Sequence, residues 1–258
     1  MKHPIAPQYD DAPLPPGQAR LTNMQIAFEA MRDCAAASDT MPRLGVFYGP
    51  AGYGKSVGAA FAAARFGAAY VTAMSIWTQR SFLDALAHAL GIARPLKTGP
   101  QILGQIIDLL RAHPRPVIVD EMDYLVKKQM VDIIRDIHDN SPAPILMIGM
   151  EALPAKLRDW EQFDSRVLVH AAAQPASEAD ALKLRDAYAG EVRIADDLAL
   201  AFHAACAGVT RRIVVNLERA EIIGGDEGLD ELDLAAWGER HIETGTIAPR
   251  RTWARDRA

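Results

Sequence analysis

Leu44–Ser56 reads LGVFYGPAGYGKS. Its apolar residues Leu44, Val46, Phe47 and Tyr48 read as a buried strand that runs straight into a glycine-rich turn. Gly49–Ser56 fits G-x-x-x-x-G-K-[ST], the pattern of a phosphate-binding loop. Such a loop points backbone N–H groups inward at phosphate oxygens. Gly49, Gly52 and Gly54 permit the backbone angles and the close approach that a Cβ would block. Ala59–Ala64 reads as helix, so a helix N-terminus adds its partial positive charge to the same place. Lys55 is suited to reach the β- and γ-phosphates, and the Ser56 hydroxyl to coordinate Mg²⁺. The candidate nucleotide contacts are therefore Gly49, Pro50, Ala51, Gly52, Tyr53, Gly54, Lys55, Ser56 and Val57.

A second stretch supports the first. Pro116–Glu121 (PVIVDE) holds the continuous apolar run Val117, Ile118, Val119, as expected of a parallel strand buried on both faces. It ends in two acids, and ligands of such sheets gather at the carboxyl ends of the strands. Asp120 suits the holding of Mg²⁺ through water, and Glu121 the activation of an attacking water.

Between and after these stretches, strands alternate with helices. Ala69–Met74, Pro144–Gly149 and Arg166–His170 read as further strands. Helical periods run through Thr78–Leu90, Ile102–Leu110, Val126–Asp139 and Glu151–Phe163, and a first helix is capped by Thr22 or Asn23. The alternation implies a parallel sheet covered by helices on both sides. From Ala171 the pattern changes: Gln174-Pro175-Ala176 reads as a linker, and Glu178–Ala189, Asp197–Ala207, Arg211–Ile223 and Leu232–Glu243 all read as helix. The expected organisation is a proline-rich extended arm over 1–19, an α/β unit over 20–173, a helical lid over 174–245 and a basic tail over 246–258.

Composition bounds the partners without choosing them. The 258 residues carry a formal net charge of −5, which weighs against nucleic acid. The charge is uneven, however: six acids and no basic residue lie in Glu221–Asp233, whereas Arg250, Arg251, Arg255 and Arg257 crowd the end of the chain. No apolar run approaches the roughly 18–20 residues that cross a bilayer. The N-terminus has no hydrophobic signal core, so a cytoplasmic location is expected. Cys34 and Cys206 sit in neither a metal nor a redox spacing and read as buried thiols. The seven histidines show no close metal-ligand spacing.

A phosphate loop, a VIVDE strand and then a small all-helical lid resemble the AAA+ ATPases. The order Gly52-x-Gly54-Lys55-Ser56, Asp120-Glu121-Met122-Asp123, Gly208-Val209-Thr210-Arg211 is similar to the branch of phage Mu transposition protein B, its transposon-encoded relatives and a type II secretion ATPase. The resemblance spans about residues 20–225. It implies an ATPase using ATP and Mg²⁺ that assembles into a ring or filament on double-stranded DNA without sequence preference and recruits or activates a transposase. A bacterial host and a phage or transposon origin go with it, and no membrane partner. It also implies an arginine finger acting on a neighbouring subunit, at Arg166 or else Arg158, and a lid sensor at Arg211 or the adjacent Arg212. Candidate DNA contacts are Lys97, Thr98, Lys127 and Lys128. Two departures stand out. Met150 follows Gly149 where the family often has a polar sensor, which implies slow, switch-like hydrolysis. The N-terminal arm is too short for the extra DNA-binding domain of the Mu protein. The alternative is an AAA+ ATPase that drives protein assembly without DNA, as in the secretion branch.

Overall fold

The computed structural model describes residues 19–38, 40–188 and 190–245. Five strands form one parallel sheet: β1 (Leu44–Gly49), β2 (Ala69–Thr72), β3 (Val117–Asp120), β4 (Ile145–Met150) and β5 (Val167–Ala172), in the order β2-β3-β4-β1-β5. Side chains alternate across each strand, so the uninterrupted apolar runs feed two cores. Leu44, Val46, Val117, Val119, Ile145 and Met147 pack on one face, and Phe47, Ile118, Leu146 and Ile148 on the other.

The second face is covered by α1 (Thr22–Ala36) and α2 (Lys55–Phe66), which bury Ala27, Met31, Ala59 and Ala62. Small residues let these two helices approach closely. The first face is covered by α3 (Gln79–Ala89), α4 (Gly99–Ala112), α5 (Met122–Lys127), α6 (Val131–Asn140), α7 (Leu153–Leu157) and α8 (Glu161–Asp164). Because every connection is a crossover, the carboxyl ends of all five strands share one edge, and the phosphate loop leaves the sheet there.

The remaining chain forms a smaller unit: α9 (Glu178–Ala187), α10 (Asp196–Ala205), α11 (Thr210–Asp226) and α12 (Leu234–Trp237). It has its own core of Leu184, Leu198, Phe202, Ile213, Leu217 and Trp237, with the Phe202 and Trp237 rings edge-to-face at 5.0 Å. It is helical apart from a short parallel pairing of β6 (Arg193–Ile194) with β7 (Glu231–Leu232).

Several element readings change in detail. The helix read over Val126–Asp139 is two helices. The first begins directly after Glu121, and Gln129 at φ +56° turns the chain before the second starts. The turn lets Leu125 and Ile134 reach the same core. Glu151–Phe163 likewise splits into α7 and α8, with Pro154 in the first turn of α7, where its missing N–H costs nothing. Of Leu232–Glu243 only α12 is helical. Gly238 ends it at φ +61°, and the chain then runs beside α11, where Asn216 exchanges hydrogen bonds with the Glu243 backbone (Nδ2 to O 3.0 Å, N to Oδ1 2.8 Å). The cap of α1 is Leu21, so Thr22 and Asn23 lie inside the first turn. Cys34 and Cys206 are free and buried, and burial pushes the Cys34 thiol up to about 12. The arm, all but Ala19, and the basic tail lie outside the described residues.

The α1–α2 contact makes a stability prediction. A Cβ on Gly58 would stand 2.7 Å from the Asn23 carbonyl oxygen and 3.3 Å from the Ala27 Cβ. Gly58→Ala gains roughly 1 kcal/mol of helix propensity, yet we expect a net loss of about 1–2 kcal/mol from overpacking in urea unfolding. A net gain would contradict the close approach.

Candidate nucleotide site

The phosphate loop closes a cleft of about 620 Å³ between the sheet edge and the lid. Gly52 (φ +83°) and Gly54 (φ +79°) take left-handed backbone angles, and Gly54 is the N-cap of α2. Lys55 is only 9% exposed, and its ammonium donates to the Gly49 and Pro50 carbonyls at 2.7 Å each. Burial lowers its pKa, while Asp120, Glu121 and Asp123 act against that shift. The charge that would meet a phosphate is thus parked on its own loop.

Asp120, at the end of β3, is 4% exposed. Its Oδ1 accepts the Glu121 N–H at 2.8 Å, and its Oδ2 accepts the Tyr70 hydroxyl at 2.6 Å. Burial and this bond both push the Tyr70 phenol upward, so it stays a donor. Glu121 sits at φ +56°, a left-handed position for a non-glycine residue, next to Asp120 and facing the cleft. Burial raises the Glu121 carboxyl above the ordinary range, helped by Asp120 and Asp123 and opposed by Lys55. A raised carboxyl in a cleft is what a proton acceptor needs.

Met150 does stand at the cleft, and its backbone N–H is taken by Asp123 Oδ2 at 2.6 Å. The other Asp123 oxygen pairs with Lys156 at 2.7 Å. Gly149 makes room for this acid: a Cβ there would lie 2.6 Å from Asp123 Oδ2 and 2.4 Å from Leu153.

The lid closes the other side. The Arg211 N–H donates to the Gly52 carbonyl at 3.0 Å, joining the head of α11 to the phosphate loop backbone to backbone. The Arg211 side chain lines the cleft, whereas Arg212 turns away, 3.7 Å from Glu243 and packed on Gly245. Of the two arginines at the head of α11, only Arg211 lines the cleft.

Three residues of the site escaped the sequence reading. Asn23 is buried, and its Nδ2 donates to the Tyr53 and Gln174 carbonyls at 2.7 Å each while its Oδ1 accepts the Gln174 N–H at 2.8 Å. It ties the loop to the Gln174 linker that leads into the smaller helical unit. Asp180, 2% exposed, accepts the Thr22 N–H (3.2 Å) and hydroxyl (2.7 Å), so a lid carboxylate satisfies the N-terminus of α1. Tyr70 is the third. None has a short motif to mark it. Leu21, Met24, Leu184, Tyr188 and Val214 give the cleft an apolar end suited to a flat base.

Ala51, Gly52, Tyr53, Gly54, Lys55, Ser56, Val57, Asp120, Glu121 and Arg211 line this one cleft. Gly49 and Pro50 lie behind it and hold Lys55. Arg166 is elsewhere: its Nε and Nη2 form a bidentate pair with Asp139 at 2.6 and 2.7 Å, which holds the Asp139 carboxyl below its usual range. Arg158 is exposed and makes no side-chain hydrogen bond or ion pair among the described residues. Lys97, Lys127 and Lys128 are exposed as well, the last two at the C-terminal end of α5. Thr98 is the N-cap of α4, its N–H held by Gln101 at 3.2 Å. Among the described residues no helix is long and apolar enough to cross a membrane, and no group of three or more His, Cys, Asp or Glu could hold a metal.

Comparison with known proteins agrees with this geometry. Residues 39–157 match the family described as the AAA domain. No curated protein sequence matches the chain. Among solved structures, the Aeropyrum pernix ORC2 protein in ADPNP–ADP complexes aligns at TM-score 0.66 and 17% identity, over 86% of this chain and 68% of that one. The ORC1 protein of the same organism in complex with DNA aligns at 0.59 and 17%, over 87% and 65%. Cdc6p from Pyrobaculum aerophilum aligns at 0.61 and 13%, over 87% and 66%. The fold is therefore the AAA+ P-loop fold, and the chain spans about two thirds of the length of these structures.

The two lid arginines give a test. Arg211→Ala should weaken nucleotide binding by about tenfold, the loss of one charge-assisted contact. Arg212→Ala should leave the affinity within about twofold by the same reasoning. The reverse order, measured by fluorescent-nucleotide titration, would contradict the orientation of α11.

Proposed function

We propose that the protein is an ATP-dependent DNA-binding ATPase that assembles with ATP on duplex DNA without sequence preference and recruits or activates a transposase. The observation carrying the ATPase part is the convergence of Lys55, Ser56, Asp120, Glu121 and Arg211 on one cleft with an apolar end. Lys55 would leave the Gly49 and Pro50 carbonyls for the β- and γ-phosphates, and the N-terminus of α2 would face the same anion. Glu121 would orient the attacking water and take its proton. The Ser56 hydroxyl and Asp120 carboxylate are hard oxygen donors of the kind magnesium takes. When bound, magnesium neutralises charge developing between the β- and γ-phosphates.

Hydrolysis is proposed to be slow. The Met150 side chain supplies no hydrogen bond to the attacking water, and its N–H is already engaged by Asp123. A trans finger is proposed at Arg166, which must first leave Asp139; the exposed Arg158 is the other candidate. Mixing Arg166→Ala with Lys55→Ala protein should restore part of the hydrolysis lost in each, because mixed interfaces join an intact loop to an intact finger. Unchanged turnover in Arg166→Ala alone would move the role to Arg158.

The DNA part is supported by the resemblance to transposition ATPases and by the fold shared with a protein solved in complex with DNA. Contacts would be to phosphates from Lys97, Lys127 and Lys128, few per subunit and many per assembly. Thr98, already engaged as a helix cap, is the weakest candidate. The net charge of −5 and the acidic Glu221–Asp233 run favour the alternative, protein assembly without DNA.

Two experiments divide these readings. Lys55→Ala should abolish tight nucleotide binding, and Glu121→Gln should keep binding while stalling turnover; normal turnover in the latter would remove Glu121 as the base. In fluorescence anisotropy with random duplex, binding should require Mg-ATP, rise steeply with protein concentration and fall as salt rises. Lys127→Ala with Lys128→Ala should weaken it and spare basal hydrolysis. No ATP-dependent binding at low salt and micromolar protein would select the protein-assembly reading.

A further inference from the structure

Asp120 is held from two sides. Its Oδ1 is engaged by the backbone N–H of Glu121, and its Oδ2 by the phenol of Tyr70, which comes from the neighbouring strand. The register makes this reach possible. Tyr70 lies opposite Ile118 and Thr72 opposite Asp120, so Tyr70 and Asp120 project from the same face of the sheet, two residues apart along the strands. The Tyr70 ring packs among the α1–α2 core beside Ile118, and its hydroxyl points along the strand toward the sheet edge. At 2.6 Å, an O–H donated to a buried carboxylate is a charge-assisted bond of the short, strong kind. No other side chain among the described residues bonds the Asp120 carboxylate.

We propose that Tyr70 is a positioning residue for the metal side of the site: by fixing the Asp120 carboxylate in one orientation, it sets how tightly magnesium is held with the nucleotide. This rests on the reading of Asp120 as the magnesium-side acid. A buried carboxylate with one oxygen tied only to the N–H of the next residue can rotate about its Cβ–Cγ bond. With Tyr70 on the second oxygen, that rotation is closed off and the remaining lone pairs are fixed. Outer partners of this sort commonly change metal affinity by about 10–100-fold when removed. The competing account is that the bond merely fastens β2 to β3. The two differ in what they do to magnesium.

The test is a magnesium titration of fluorescent ATP-analogue binding, run beside the same sample in EDTA. Tyr70→Phe keeps the ring and its packing. It should leave affinity in EDTA within about twofold and raise the magnesium midpoint about tenfold, the lower end of the outer-partner range. Asp120→Asn should raise the midpoint too, and adding Tyr70→Phe to it should raise it no further, since the pair acts as one unit. An unchanged midpoint in Tyr70→Phe, with Asp120→Asn shifted, overturns the role of Tyr70 alone. An unchanged midpoint in Asp120→Asn overturns the magnesium reading of Asp120 itself. Equal losses in EDTA and in magnesium for Tyr70→Phe would show strand fastening only, and would also overturn the proposal.

Discussion

The buried ammonium of Lys55 is the constraint on which the rest of the site depends. A charge with so little exposure must be met by acceptors, and in the chain alone they are the Gly49 and Pro50 carbonyls. Those carbonyls can point at the ammonium only because β1 ends in the glycine turn and α2 starts at Gly54. The second layer of compensation is acidic: Asp120, Glu121 and Asp123 all oppose the lowering of the Lys55 pKa. Each of these acids has its own reason to be there. Asp120 closes β3, Glu121 takes the left-handed turn into α5, and Asp123 fills the space that Gly149 leaves. Removing the lysine would leave a cluster of like charges facing one another.

The same loop is also the meeting point of the two structural units. The Gly52 carbonyl receives the Arg211 N–H, the Tyr53 carbonyl receives Asn23, and Asn23 in turn holds the Gln174 backbone in the linker. Asp180 of α9 completes the circuit through Thr22. A nucleotide that draws Lys55 and the loop toward its phosphates therefore pulls on groups that also hold the lid. Backbone and buried amide contacts of this kind have few alternative geometries, so a shift of the loop would reach the smaller unit directly.

Much of the site was legible because its signal is local. Glycine spacing, Lys55-Ser56 and the apolar run ending in Asp120-Glu121 each fit within a few residues, and the alternation of strands and helices gave the covered parallel sheet. What was not legible lies far apart in sequence. Tyr70 meets Asp120 across a strand pair, Asn23 meets Gln174 and Thr22 meets Asp180 across most of the chain, and no periodicity encodes such pairs. Element boundaries failed where one residue redirects an otherwise continuous helical pattern. Gln129 in a left-handed turn and Trp160, the non-helical N-cap of α8, are of this kind. The pairing of Arg193–Ile194 with Glu231–Leu232 is two residues long, too short for any alternation to show.

The central claim is that one nucleotide site in this cleft grips both units through the phosphate loop. Amide hydrogen exchange, with and without Mg-ATP, tests it most directly. Slowed exchange should appear together at Gly52–Ser56, at Thr210–Arg211 in the head of α11 and at Leu184–Tyr188, while the remote β6–β7 pairing stays unchanged. Slowing at the phosphate loop with none in α11 would contradict the coupling, and no slowing at the loop would contradict the site.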